Sequence, residues 1–133
     1  MKAAELDLYC QRGADFFEPL VFAYYDEDDV LIEHDYDDHD FVFVVEDEFN
    51  GTDLITASVE NGRITTGQTC SLILPGESSP TVFTHAIYIH LPASETNLTP
   101  KTYPVTLIRT VEGMIDKSIL GRLTIESAGG ADG

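Results

Sequence analysis

The chain reads as an all-β protein, a single antiparallel β-sandwich of Ig-like or jelly-roll-like layout with about seven to nine short strands. Three observations predict this. Apolar and polar residues alternate with a period of two through most of the sequence, a pattern that puts successive side chains on opposite faces of a strand. Turn-forming clusters recur about every ten residues, as in Asp26-Glu27-Asp28-Asp29, Asn61-Gly62 and Pro75-Gly76. No sustained apolar stripe at helical spacing competes with them.

The strands follow in order. Leu6, Leu8 and Cys10 alternate with polar neighbours and form a first strand. Pro19 to Tyr25 supplies a second apolar run that ends in the acidic turn at 26–29, after which Val30 to Ile32 resumes as a short strand. Phe41 to Glu46 is β-branched and aromatic, and Leu54 to Val59 runs into Asn61-Gly62, a pair suited to a tight turn. Arg63 to Thr65 leads away from that turn, and Thr69 to Leu74 follows Gly67. In Thr81 to Leu91 one face carries Phe83, Ile87, Ile89 and Leu91, and the other Val82, Thr84, Tyr88 and His90. Pro92 stops that strand, and Ala93 to Leu98 has the composition of one helical turn. Tyr103 to Val111 and Lys117 to Glu126 flank Glu112-Gly113-Met114 as a hairpin, with Val105, Leu107, Ile119, Leu123 and Ile125 directed inward.

A chain of 133 residues has the size of one domain. The sandwich is assigned to residues 1–126, and the small-residue segment 127–133 is expected to form a flexible tail. Charge is unevenly distributed: 18 of the 24 Asp and Glu lie in the first sixty residues, and Asp26 to Glu48 holds twelve carboxylates without a Lys or Arg. That stretch also contains Phe41 to Val45, so the acid decorates a folded element rather than a disordered tail. A net charge of −17 opposes nucleic acid and anionic membrane as partners and favours a basic one. No apolar segment approaches the length of a membrane span and no secretion signal precedes the first acids, so synthesis in a cytoplasm is expected. Cys10 and Cys70 then serve as buried thiols rather than as a bridge.

The densest potential ligands lie in His34 to Asp40. Asp35, Asp37, Asp38 and Asp40 are the candidate metal ligands, and a hard, oxygen-seeking cation such as Ca²⁺ is the ion they suit; apart from that possibility no cofactor is expected. The segment does not match the helix-loop-helix calcium loop, because its sixth position, counted from Asp35, is Asp40 instead of Gly. A solvated acidic loop or a face for a basic partner is the competing reading. His34 with His39, and His85 with His90, fall on opposite faces of a regular strand, which leaves all four as structural residues. Tyr24, Tyr25, Asp26, Asp28 and Asp29 are the candidate partner-binding residues, since one of two consecutive tyrosines on a strand must point away from the core. No nucleophile, phosphate loop or selective acid pair is recognisable, and the chain is read as no enzyme.

One further pattern runs through most of the chain. It comprises Leu6-Asp7-Leu8 leading to Gln11-Arg12-Gly13-Ala14-Asp15-Phe16, the strand Pro19 to Tyr25, Glu60-Asn61-Gly62-Arg63-Ile64, Thr102-Tyr103-Pro104-Val105-Thr106-Leu107, and Leu120-Gly121-Arg122-Leu123-Thr124-Ile125. This resembles the small β-sandwich structural proteins of tailed bacteriophages and prophages, related in layout to the N-terminal domains of baseplate upper proteins. The resemblance implies a non-enzymatic virion component at a tail, baseplate or fibre-attachment position. It would be held in multiple copies against other virion proteins by sheet-edge pairing and by its acid meeting a basic surface. A capsid decoration protein is the alternative, and a Ca²⁺- or carbohydrate-binding module the further one.

Overall fold

The computed structural model describes residues 6–127, the side chains of residues 116 and 117 excepted, and every regular element among them is a β-strand. The ten strands are β1 (Leu6–Gln11), β2 (Phe16–Leu20), β3 (Ala23–Tyr25), β4 (Leu31–Glu33), β5 (Asp40–Glu46), β6 (Asp53–Ser58), β7 (Ile64–Leu72), β8 (Thr81–Leu91), β9 (Thr102–Val111) and β10 (Met114–Glu126). They form a five-stranded sheet in the order β1-β10-β9-β5-β6, a three-stranded sheet in the order β2-β8-β7, and a separate ribbon of β3 with β4. The expected all-β, sandwich-like class is therefore present. The expected tail lies almost wholly outside the described residues.

Alternation builds the core. On the larger sheet the cross-strand rows Ile119–Leu107–Phe43–Ala57 and Gly121–Val105–Val45–Ile55 present their side chains to one face, where Phe43, Val45 and Ala57 have no exposure at all. The smaller sheet contributes Phe16, Ile64, Ile87, Ile89 and Leu91, and these join the first set in one cluster. Fully burying such a side chain stabilises the fold by about 1.5–3 kcal/mol, so this cluster supplies the main driving force. Cys10 and Cys70 are buried free thiols, and burial raises both thiol pKa values, which keeps them unreactive.

Several details depart from the sequence reading. The apolar run Pro19 to Tyr25 is not one strand: β2 begins at Phe16 and ends at Leu20, and β3 belongs to a different sheet. β7 runs through Gly67 without ending, because Gly67 takes a φ of +64° at a slip in register with β8 between Thr65 and Gln68. By contrast, the single turn expected within residues 93–98 is present, closed by the N–H groups of Glu95 (2.8 Å) and Thr96 (3.3 Å) on Pro92 O. It is pinned by buried Thr96, whose hydroxyl donates to Ala14 O at 2.6 Å.

The other departure is the pairing of β1, which lies parallel to β10 and sets Leu6 opposite Gly121. A methyl group on Gly121 would overlap the Leu6 carbonyl and stand 2.6 Å from the Leu6 Cβ. The glycine is required for close approach of the two backbones. Gly121→Ala is expected to lower stability by about 1–3 kcal/mol through overpacking, with faster amide exchange concentrated in β1. Urea unfolding and hydrogen exchange measure the two effects, and an unchanged midpoint would refute the role assigned to Gly121.

Candidate functional site

The acidic stretch is not a free loop. It begins in the β3–β4 ribbon, paired Ala23 to Glu33, Tyr24 to Ile32 and Tyr25 to Leu31. Asp26 closes the ribbon's turn: its Oδ1 accepts the N–H of Asp28 (2.8 Å) and of Val30 (2.9 Å), while Asp29 takes a φ of 61°. This is the side-chain mimicry of a turn that Asp performs well. Asp26 is thus structural, and Glu27, Asp28 and Asp29 stand exposed around the tip. Tyr24 and Tyr25 are both exposed, 43% and 58%. The expectation that one of them would be core fails because neither strand of the ribbon belongs to a core-forming sheet.

Glu33 anchors the ribbon. Where the β7–β8 register slips between Gln68 and Cys70, Thr84 and His85 lack partners on β7, and their N–H groups donate instead to Glu33 Oε1 (3.0 Å) and Oε2 (2.8 Å). Two orphan donors on a bulged strand are satisfied by one carboxylate, a charge-assisted arrangement stronger than a neutral pair.

Beyond Glu33 the chain crosses from one sheet to the other. His85 Nδ1 lies 2.9 Å from Asp37 Oδ2 and 3.6 Å from Asp35 Oδ1. The Asp37 N–H donates to Asp35 Oδ1 at 3.1 Å, and the Thr66 hydroxyl donates to Asp37 O at 2.9 Å. Asp37 Oδ1 is sealed from solvent without a hydrogen-bond partner. On the other side, the rings of Tyr24, His34, Tyr36 and His39 follow one another at centroid separations of 4.9, 5.0 and 4.8 Å. The Arg109 guanidinium from β9 sits 3.9 Å from the Tyr36 ring centre, a cation–π contact. Phe22 packs on both Tyr36 and Phe41. Residues 33–41 are therefore a strap tied to both sheets.

The four aspartates proposed as ligands separate into two pairs. Asp35 and Asp37 converge with His85 into a set whose donor atoms lie within 4.8 Å of one another. Asp38 and Asp40 do not join it: Asp38 lies in the turn closed by the His39 N–H on Tyr36 O, and Asp40 begins β5. His85 and His90 lie on opposite faces as expected: His90 packs instead beside Phe17 and near Asp15. Glu33, Tyr36 and Arg109 complete the site and were not singled out by sequence, and His85, read there as structural, belongs to it. For His85 a signal existed, since its parity on β8 matches Phe83 and Ile87, an unusual place for an imidazole. Its pairing with Asp37, 48 residues away, carried none.

No protein-family model matches the chain, and no curated protein matches it.

The hydrogen bond to Asp37 raises the His85 pKa above 6.5, assisted by the negative potential of Asp35, Asp37 and Glu33 and opposed by desolvation. A histidine pKa higher in the folded state contributes stability that is complete below the unfolded value and is lost as pH rises through the folded one. Asp37→Asn is therefore expected to destabilise the protein most near pH 6, and the gap to wild type should shrink as the pH climbs above the His85 value. Parallel urea titrations across that range, with the His85 ring followed by NMR, test this; a gap independent of pH would remove the ion pair from the account.

Proposed function

We propose that the chain is a non-enzymatic structural protein of a tailed-phage virion, docking as one of many copies at a tail, baseplate or fibre-attachment position. The resemblance in strand and turn pattern motivates the setting, with capsid decoration as the alternative placement. The observation that carries the docking role is a partition of charge. Across the outer face of the larger sheet the rows Thr56–Val44–Thr106–Leu120 and Ser58–Val42–Ile108–Ser118 hold no ionisable side chain, in a chain of net charge −17. Leu120 is 67% exposed there. Beside it Leu6, Pro104 and Gly121 border an open depression of about 400 Å³ with Glu48 and Arg122 among its lining residues. An uncharged centre with polar surroundings is the composition of an interface core. The acid elsewhere keeps the unassembled protein dispersed.

Leu120→Asp tests this reading. An exposed substitution of this kind changes stability by no more than about 0.5 kcal/mol, so the variant should fold normally yet fail to enter particles, where gold-labelled antibody finds the wild-type protein. Full incorporation of the variant, or wild-type protein absent from particles, would defeat it.

A second reading, a cation-binding module, is favoured by Asp35, Asp37 and His85. One nitrogen with two carboxylates suits a first-row transition ion such as Mn²⁺ or Zn²⁺ better than Ca²⁺, which takes six to eight oxygens. Binding to the native state alone raises the melting temperature by mass action. Mn²⁺ should do so at constant ionic strength more than Ca²⁺ does, and Asp37→Asn should abolish the gain. An identical rise in the variant would leave only diffuse counterion binding.

A further inference from the structure

We propose that the β3–β4 ribbon is an insertion arm, whose occupant on the other side is an apolar slot in a partner protein rimmed by Lys and Arg. The inference deepens the docking role above and rests on it for its biological setting, although the arm's chemistry is testable alone.

Three features of the arm lead there. It forms a two-stranded sheet of its own, and such a ribbon is marginal in water unless something holds it. Here its base is fixed by Glu33 on the β8 amides and by the His34 N–H on Phe22 O at 2.8 Å. All three residues of β3 are nevertheless exposed, as is Val30 at 52%. The fold anchors an element whose side chains it covers only in part: Leu31 and Ile32 are half-buried and Tyr24 stacks on His34, while Tyr25 and Val30 stand open.

The aromatics lie on both sides. The register puts Tyr24 with Ile32 on one face of the ribbon and Tyr25 with Leu31 on the other. A flat partner could bury only one of them, whereas a slot with two walls buries both. Tyrosines in such positions are among the strongest contributors to binding. With Asp26 occupied in closing the turn, the exposed acids Glu27, Asp28 and Asp29 encircle the tip, and the sequence offers no Lys or Arg between Arg12 and Arg63. Charge complementarity asks the partner for a basic rim. A second copy of this chain does not meet that requirement, because its uncharged sheet face carries no basic ring and its overall charge repels.

The test uses the full-length protein and two fluorescent peptides of equal positive charge, one with a Leu- and Phe-rich centre flanked by lysines and one with lysines spaced by serine. Wild type should bind the apolar-centred peptide. Tyr24→Ser with Tyr25→Ser, and separately Glu27→Gln with Asp28→Asn and Asp29→Asn, should each weaken that binding about tenfold. Removing three exposed acids elsewhere, by Asp53→Asn, Glu60→Gln and Glu126→Gln, should change it less than about twofold. The serine-spaced peptide should be indifferent to the tyrosine substitutions. Melting curves confirm that each variant folds. No binding by wild type, tyrosine variants that bind as wild type does, or equal losses from the two neutralised sets would overturn the arm. Protein that binds the peptide through Tyr24 and Tyr25 yet never appears on particles would overturn the virion setting and leave the arm standing.

Discussion

Twelve carboxylates between Asp26 and Glu48, with no lysine or arginine among them, are the constraint around which this molecule is arranged. Like charges at such density oppose compaction; most of these acids stay exposed to solvent, and four of them take backbone amides. Glu33 takes two from β8, Asp26 takes two from its own turn, Asp35 takes one from Asp37, and Asp47 takes one from Phe49 at 2.8 Å. Each bond uses a donor that lacks a ladder partner. Cationic groups enter sparingly, with His85 against Asp35 and Asp37, and Arg109 over Tyr36. The irregularity of β8 follows from the same arrangement: a perfectly paired strand would have no free amides to offer Glu33.

Period-two alternation made the strands legible because burial on a sheet is a local property of sequence. Phe41, Phe43 and Val45 are buried and Val42 and Val44 are not, as the pattern demanded. Composition misled only where apolar character continued through a corner. Leu20 and Phe22 both face the interior, but Leu20 belongs to the smaller sheet while Phe22 packs on Phe41 of the larger, and no polar residue between them announces the change. Gly67 misled in the opposite sense, being read as a break where it is a bulge. The parallel pairing of β1 with β10 joins Leu6 to Gly121, a separation at which no turn signal exists to be read.

The site was legible in its donors and not in its assembly. Asp35 and Asp37 stand out in sequence together with Asp38 and Asp40, and no period sorts them, because residues 34–39 belong to no strand. What sequence could not supply was the identity of the surface they meet. His85 becomes a partner only because the strap crosses β8 at that level, a distance in the chain fixed by tertiary packing. The tyrosines show the same limit: their alternation was read correctly, but the assumption that a strand borders the core did not hold for a ribbon standing apart.

In the docking role proposed above, recognition falls to side chains more than to strand edges. Backbone pairing along the edge strand β6 is obstructed by Asn61, whose Nδ2 donates to Thr56 O at 3.0 Å while its Oδ1 accepts the Ser58 N–H at 2.9 Å. The carboxamide occupies the donor and acceptor that an added strand would use. The edge strand β7 carries two register shifts, which distort a strand as an extension template. With β6 and β7 blunted as edges, the proposed role rests on the uncharged face of the larger sheet and the tyrosine-bearing ribbon, one flat and one projecting. Their opposite shapes call for different complements on a partner, and a protein held at both would have its orientation fixed as well as its position.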